Sequence, residues 1–299
     1  MSLPTPADVT AADARIHRYV RRTPILRAEV DGRPLVLKLE HLQQTGSFKL
    51  RGATNALLAG PRPDRVVTAS GGNHGLAVAT AAARLGIPVV VHVPSFTPEL
   101  KRRRMIEAGA NLITHEVMDD VLTAAAEDGA QPGSRYLHPF DEPAVIAGQG
   151  TVTAELLADA PDVDTLAVAV GGGGLIAGAA LAADGRPIYA IEPENCQCMH
   201  DALAAGRPVV STVDSVAASG LGANTAGENT LRILQSVGAQ SVLVTDKQIL
   251  EARDRLWEEF RLAVEPAAAV AFAAWLNGQV PGTLTGVIIC GANTEWTPS

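Results

Sequence analysis

Leu166-Ala167-Val168-Ala169-Val170-Gly171-Gly172-Gly173-Gly174-Leu175-Ile176-Ala177-Gly178 passes from an unbroken apolar run through four glycines into a stretch of small, helix-forming residues. An apolar run of that length predicts a strand covered on both faces, and the residues after the glycines predict a helix. The same alternation recurs along the chain. Short apolar or β-branched runs at 35–39, 66–69, 89–93, 112–115, 188–191, 241–244 and 287–290 read as strands, and 76–85, 98–108, 176–183 and 247–260 as helices. The expected fold class is α/β: open, mainly parallel twisted sheets flanked by helices. Pro61-Arg62-Pro63-Asp64 and Pro139-Phe140-Asp141-Glu142-Pro143 interrupt the pattern, and three strand candidates lie between them. That is enough for a small domain inserted into a larger one.

With 299 residues, 47% of them hydrophobic, the chain can bury one large core or two ordinary ones. A net charge of -8 argues against gripping nucleic acid through its phosphates and leaves a small molecule as the expected partner. Three cysteines make no disulfide framework, and Met1-Ser2-Leu3-Pro4 lacks the profile of a secretory signal, so a cytoplasmic protein is expected. No apolar stretch approaches the ~20 residues of a membrane helix.

Gly171, Gly172, Gly173 and Gly174 let successive amides point into one concavity at a helix start, which suits a phosphate. A tight turn, or a dinucleotide held by Gly172, Gly174 and Ala177 with Glu192 on a ribose, fits the same residues. Lys49, in Gln44-Thr45-Gly46-Ser47-Phe48-Lys49-Leu50-Arg51-Gly52-Ala53, is an amine set between an aromatic ring and small residues where a loop becomes a helix. Partial desolvation there favours the neutral, nucleophilic amine. The loop Ser70-Gly71-Gly72-Asn73-His74-Gly75 offers amides, a hydroxyl and a carboxamide to a carboxylate or a phenolic oxygen; a capped helix start is the plainer reading, and His74 is as readily structural. Cys290, in Cys290-Gly291-Ala292-Asn293-Thr294, is either a core thiol or a ligand contact at a strand's carboxyl end. Glu192, Cys196 and Cys198 lack a histidine at metal spacing, and no metal is expected. Lys101-Arg102-Arg103-Arg104 reads as a solvated helix face.

In order, Gly46-Ser47-Phe48-Lys49-Leu50-Arg51-Gly52-Ala53, the 70–75 loop, Glu142-Pro143-Ala144-Val145-Ile146-Ala147-Gly148-Gln149-Gly150, the glycine run, Glu265-Pro266 and Cys290-Gly291-Ala292-Asn293 resemble the serine/threonine dehydratase and serine racemase family. These are pyridoxal-phosphate enzymes of the tryptophan synthase β-subunit fold, fold type II. The resemblance implies a large domain of residues 1–61 and 142–299 and a small domain of 62–141 closing over the substrate. It implies that Lys49 bonds pyridoxal phosphate beside Phe48, Asn73 meets the ring's 3-hydroxyl oxygen, 171–174 hold the phosphate, and Cys290 faces the ring nitrogen with Glu265 near that end. Ser70, Gly71, Gly72, Asn73 and His74 would take the substrate carboxylate. The implied activity is loss of water from L-threonine or L-serine to give a 2-oxo acid and ammonia, with Lys49 as the base at Cα, in a homodimer. A neutral thiol at the ring nitrogen makes a poorer electron sink than a carboxylate-paired ring, which favours elimination.

Three departures narrow this. Gly71 stands where racemases carry a second serine, so little racemisation is expected; Cys198 stands where their metal site has an aspartate; Phe140 replaces their asparagine beside the cofactor. The chain ends at Ser299, and feedback through a C-terminal regulatory domain is not expected. A β-hydroxy amino acid racemase, a β-replacement enzyme, a dinucleotide-binding oxidoreductase and a non-catalytic metabolite-binding protein remain alternatives.

Overall fold

The computed structural model describes residues 2–297, apart from the side chains of Met118 and Asp119. Six strands form the larger sheet: β1 (Ile25–Val30), β2 (Arg33–Lys38), β7 (Thr165–Ala169), β8 (Ile188–Pro193), β9 (Gln240–Val244) and β10 (Thr285–Ile288), in the order β1-β2-β10-β7-β8-β9. All neighbours are parallel except β1 and β2, a hairpin closed at Asp31 and Gly32. Both turn residues have positive φ, 52° and 72°, as a two-residue hairpin turn needs. The sequence reading missed β1 because one of its faces is solvated and its apolar run is broken. The second sheet, β5-β4-β3-β6, is all parallel: β3 (Arg65–Ala69), β4 (Val89–Pro94), β5 (Asn111–His115) and β6 (Ser134–Tyr136). Four strands stand where three were expected; β6 is only three residues long.

The helices are α1 (Pro6–Ile16), α2 (Lys49–Leu58), α3 (Asn73–Arg84), α4 (Glu99–Glu107), α5 (Met118–Gly129), α6 (Pro143–Asp159), α7 (Gly174–Ala182), α8 (Cys198–Ala205), α9 (Ala218–Leu221), α10 (Glu228–Val237), α11 (Asp246–Phe260) and α12 (Pro266–Leu276). Proline at the first position of α6 and α12 suits a place where no backbone donor is needed. Thr245 and Gln248 close a reciprocal capping box at α11.

Period-2 alternation sorts the small sheet's residues between two clusters. Val66, Val89 and Val91 pack with α2 and α3, while Val67, Ala69 and Val90 meet Val121 and Ala125 of α5. In the large sheet β7 is buried throughout, and α12, itself nearly all apolar, lies against β7, β8, β9 and β10. Where α6 crosses α7, Gly178 has no room for a side chain: a Cβ would lie 2.5 Å from the Gly150 nitrogen and the Ile146 carbonyl.

Candidate active site

The lysine loop is zipped to the strand-end loop after β10. The Phe48 amide donates to the Cys290 carbonyl (3.1 Å), the Ala292 amide to Gly46 (2.8 Å), and the Asn293 side chain to the Thr45 carbonyl (2.8 Å). These bonds bring Lys49, first residue of α2, to the neighbourhood of Cys290. The Lys49 ammonium donates to the Pro139 carbonyl at 2.8 Å and lies 5.2 Å from the centre of the Phe48 ring. Burial lowers its pKa to about 8, because a carbonyl and a ring solvate the charge less well than water. The Cys290 thiol, 3.8 Å from the Ala267 carbonyl, is pushed by burial well above its ordinary range and stays neutral.

Beyond β7, every carbonyl of the glycine turn that could crowd an anion is engaged elsewhere. Gly171 accepts from the Cys198 thiol (3.5 Å), Gly172 from the Gly227 amide (3.1 Å) and the Thr230 hydroxyl (2.9 Å), and Gly173 from the Ala177 amide (2.9 Å). The amides of residues 171–176, by contrast, donate to nothing among the described residues. Carbonyls turned away and amides left free at a helix start make an anion seat. Gly173 has φ of +99°, and the Phe140 ring fills the space a side chain on Gly172 would need.

A second set of free amides lies at α3. The Ser70 hydroxyl accepts the Gly72 amide at 3.2 Å, while the amides of Gly71, Asn73, His74 and Gly75 have no partner among the described residues. The Asn73 carboxamide donates to Glu265 (2.7 Å) and accepts from Asn293 (2.8 Å), whose own oxygen accepts from Arg104 (3.0 Å). One Asn73 N–H is left for a further acceptor. Burial raises the Glu265 carboxyl to about 7, and its second oxygen is unpartnered. His74 is buried with Nε2 3.3 Å from the Leu137 carbonyl, and burial keeps it neutral. A side chain at Gly71 would run into the Thr97 hydroxyl, which is buried and unpartnered.

Several readings change. Lys101 and Arg104, one helical turn apart, line a cleft with Gly72, Asn73 and Asn293, so only part of the basic run is a plain solvated face. Arg102 and Arg103 pair within α4, with Glu99 and Glu107. Glu192 is not placed for a ribose: its oxygens accept the Met199 and His200 amides (2.9 and 2.7 Å), capping α8, and burial raises its carboxyl to about 8. Cys196 lies against the Leu221 carbonyl instead, and among the described residues no three His, Cys, Asp or Glu are grouped to hold a metal. Pro139, Thr97, Asn293 and Thr230 were missed; only Asn293 carried a signal, as the last residue of the cysteine motif.

The family model for pyridoxal-phosphate dependent enzymes matches residues 16–291. The chain belongs to this family. An L-threonine ammonia-lyase of Geobacter sulfurreducens is 38% identical over 94% of this chain and 73% of its own length. A serine racemase of Rattus norvegicus is 37% identical over 91% and 86%. The crystal structure of a threonine deaminase from T.th. superposes with a TM-score of 0.91 at 34% identity, covering 99% of this chain and 100% of that one. The fold is accordingly fold type II of the pyridoxal-phosphate enzymes. Its chemistry fits what the site offers: free amides for a phosphate, an amine with a lowered pKa for an aldehyde, and a neutral thiol for a ring nitrogen.

Proposed function

We propose that this pyridoxal-phosphate dependent enzyme is an ammonia-lyase that removes water from a small L-β-hydroxy amino acid, L-threonine or L-serine, to release a 2-oxo acid and ammonia. One observation carries the reading: an amine held near pKa 8 lies beside a neutral thiol, on a chain that also presents two helix starts with free amides. Pyridoxal phosphate, when bound, supplies the electron sink that acidifies an amino acid's Cα–H bond. Lys49 would anchor it covalently, with Phe48 alongside and the spare Asn73 N–H available to its 3-hydroxyl oxygen; the amides of Gly171, Gly172, Gly173 and Gly174 would hold the phosphate. Cys290 would meet the ring nitrogen as a neutral thiol, and Glu265 stands behind Asn73.

The 70–74 amides and the Ser70 hydroxyl orient the substrate carboxylate, so that Lys49, once its amine is free, takes the Cα proton. The β-hydroxyl then takes up a proton, balancing the one Lys49 removed, and leaves as water; the enamine released tautomerises to an imine, which adds water to give the 2-oxo acid and ammonia. Residues 1–61 and 142–299 form the large domain and 62–141 the small one; the confinement of β3 to β6 to the latter segment supports this division. We place the protein in the cytoplasm as a homodimer, a reading supported by its three unpaired cysteines and its family.

The Lys49→Ala variant tests this. It should lose 2-oxo acid formation from L-threonine and L-serine, along with the yellow chromophore that borohydride bleaches and fixes on Lys49 in the wild type. Normal turnover in the variant would sink the assignment. Racemisation is the second reading, favoured by the unpartnered Thr97 hydroxyl in the space beside Gly71. Its mark would be D-serine formed from L-serine and lost in Thr97→Val.

A further inference from the structure

Of the glycine turn's peptide planes, the one joining Gly172 to Gly173 is held most firmly from outside. Its carbonyl accepts two bonds from the first turn of α10: the Gly227 amide at 3.1 Å and the Thr230 hydroxyl at 2.9 Å. In a trans peptide the carbonyl of one residue and the N–H of the next point in opposite directions. Fixing the Gly172 oxygen toward α10 therefore aims the Gly173 N–H away from α10, on the side where no described residue meets it. Thr230 is fully buried, and its hydroxyl lies 2.9 Å from both the Gly172 and the Gly227 carbonyls, so its single proton is shared between the glycine turn and the start of its own helix.

The start of α10 is itself held by a side chain from another segment. Asp141 accepts the Glu228 amide (3.0 Å) and the Thr230 amide (3.1 Å), and its carbonyl accepts the Asn229 side chain (3.1 Å). Three backbone and side-chain donors at that helix start thus converge on one residue, next to Phe140, whose ring packs on Gly172. A carboxylate supplied this way does the work of an N-cap.

We infer that Thr230 and Asp141 are positioning residues for cofactor binding: through the first turn of α10 they orient the Gly172–Gly173 peptide so that the Gly173 amide meets the cofactor's phosphate. The inference rests on the proposed use of residues 171–174 as the phosphate seat. The Thr230 side chain bonds the Gly172 and Gly227 carbonyls, so its assigned role is indirect, through the Gly173 amide.

Thr230→Val keeps the shape and removes the hydroxyl. The affinity of the cofactor-free protein for pyridoxal phosphate and for pyridoxal, which lacks the phosphate, is measured by fluorescence titration, with the phosphorus resonance of the bound cofactor recorded by NMR. The variant should bind pyridoxal phosphate about tenfold more weakly, with a shifted phosphorus resonance, while pyridoxal binds as in the wild type; Thr230→Ser should restore both phosphate readouts. Asp141→Ala should weaken pyridoxal phosphate in the same selective way. Unchanged affinity in Thr230→Val, or equal loss for both ligands, overturns the inference. A wild-type protein that takes up no pyridoxal phosphate would instead overturn the functional reading beneath it.

Discussion

Glu265 has one oxygen bonded by Asn73 and a second that meets no donor, in a place water does not reach. Its carboxyl titrates near 7 in the folded, cofactor-free protein against 4.5 when exposed. Between those values the unfolded chain has released a proton that the folded one keeps, so stability falls as pH rises from 4.5 to 7 and is level above. Glu265→Gln should remove that slope and make the cofactor-free protein more stable at pH 8, by roughly 3 kcal/mol if the whole shift is felt. Urea unfolding at pH 4.5, 6 and 8 measures it, and parallel curves for the two proteins would contradict the account. At this scale the sequence pointed to Lys49 and Cys290 by residue type and setting, and to Glu265 through the family resemblance. It could not show that Asn73 is already shared between Glu265 and Asn293, because those partners are 192 and 220 residues away along the chain.

The first turn of α2 is anchored by a buried group of four charges. Arg51, two residues after Lys49, holds Glu40 at 2.7 Å and Glu155 at 2.8 Å, and Lys38 holds Glu155 at 2.7 Å. Two cations balance two carboxylates, all out of water. Arg51→Met leaves one carboxylate uncompensated and should cost about 3–5 kcal/mol. Adding Glu40→Leu rebalances the remaining Lys38–Glu155 pair and should recover part of that loss in urea unfolding; a double variant no better than the single would refute the charge argument. The α6–α7 crossing makes a separate prediction. Gly178→Ala meets backbone atoms that cannot rotate aside, and a loss of about 1–3 kcal/mol is expected from thermal melts. Neither feature was legible beforehand: Arg51 and Gly178 each lay inside a motif whose other members drew the reading.

Across the whole molecule, the lysine loop, the α3 start and the glycine turn come from different parts of the chain and are joined through β10's end loop and the 139–141 segment. A ligand that binds only this folded arrangement stabilises it by mass action. Stripping pyridoxal phosphate should lower the melting temperature, and restoring it at a free concentration of about 100 times its Kd should return roughly 2.7 kcal/mol. A melting temperature indifferent to the cofactor would mean that the three segments do not share one ligand. The order of residues was enough for the α/β class, most of the parallel strands and the family, because buried parallel strands are continuous apolar runs and the motifs around Lys49 and 171–174 are local. It also contained an unread sign of β1, the Asp31-Gly32 turn. Three-dimensional packing was needed to see that Glu192 caps α8, that Lys101 and Arg104 face the cleft, and that α10 grips the glycine turn. Each of these depends on where a side chain's partner lies in space, and hydrogen bonds between distant segments leave no periodic trace along a chain.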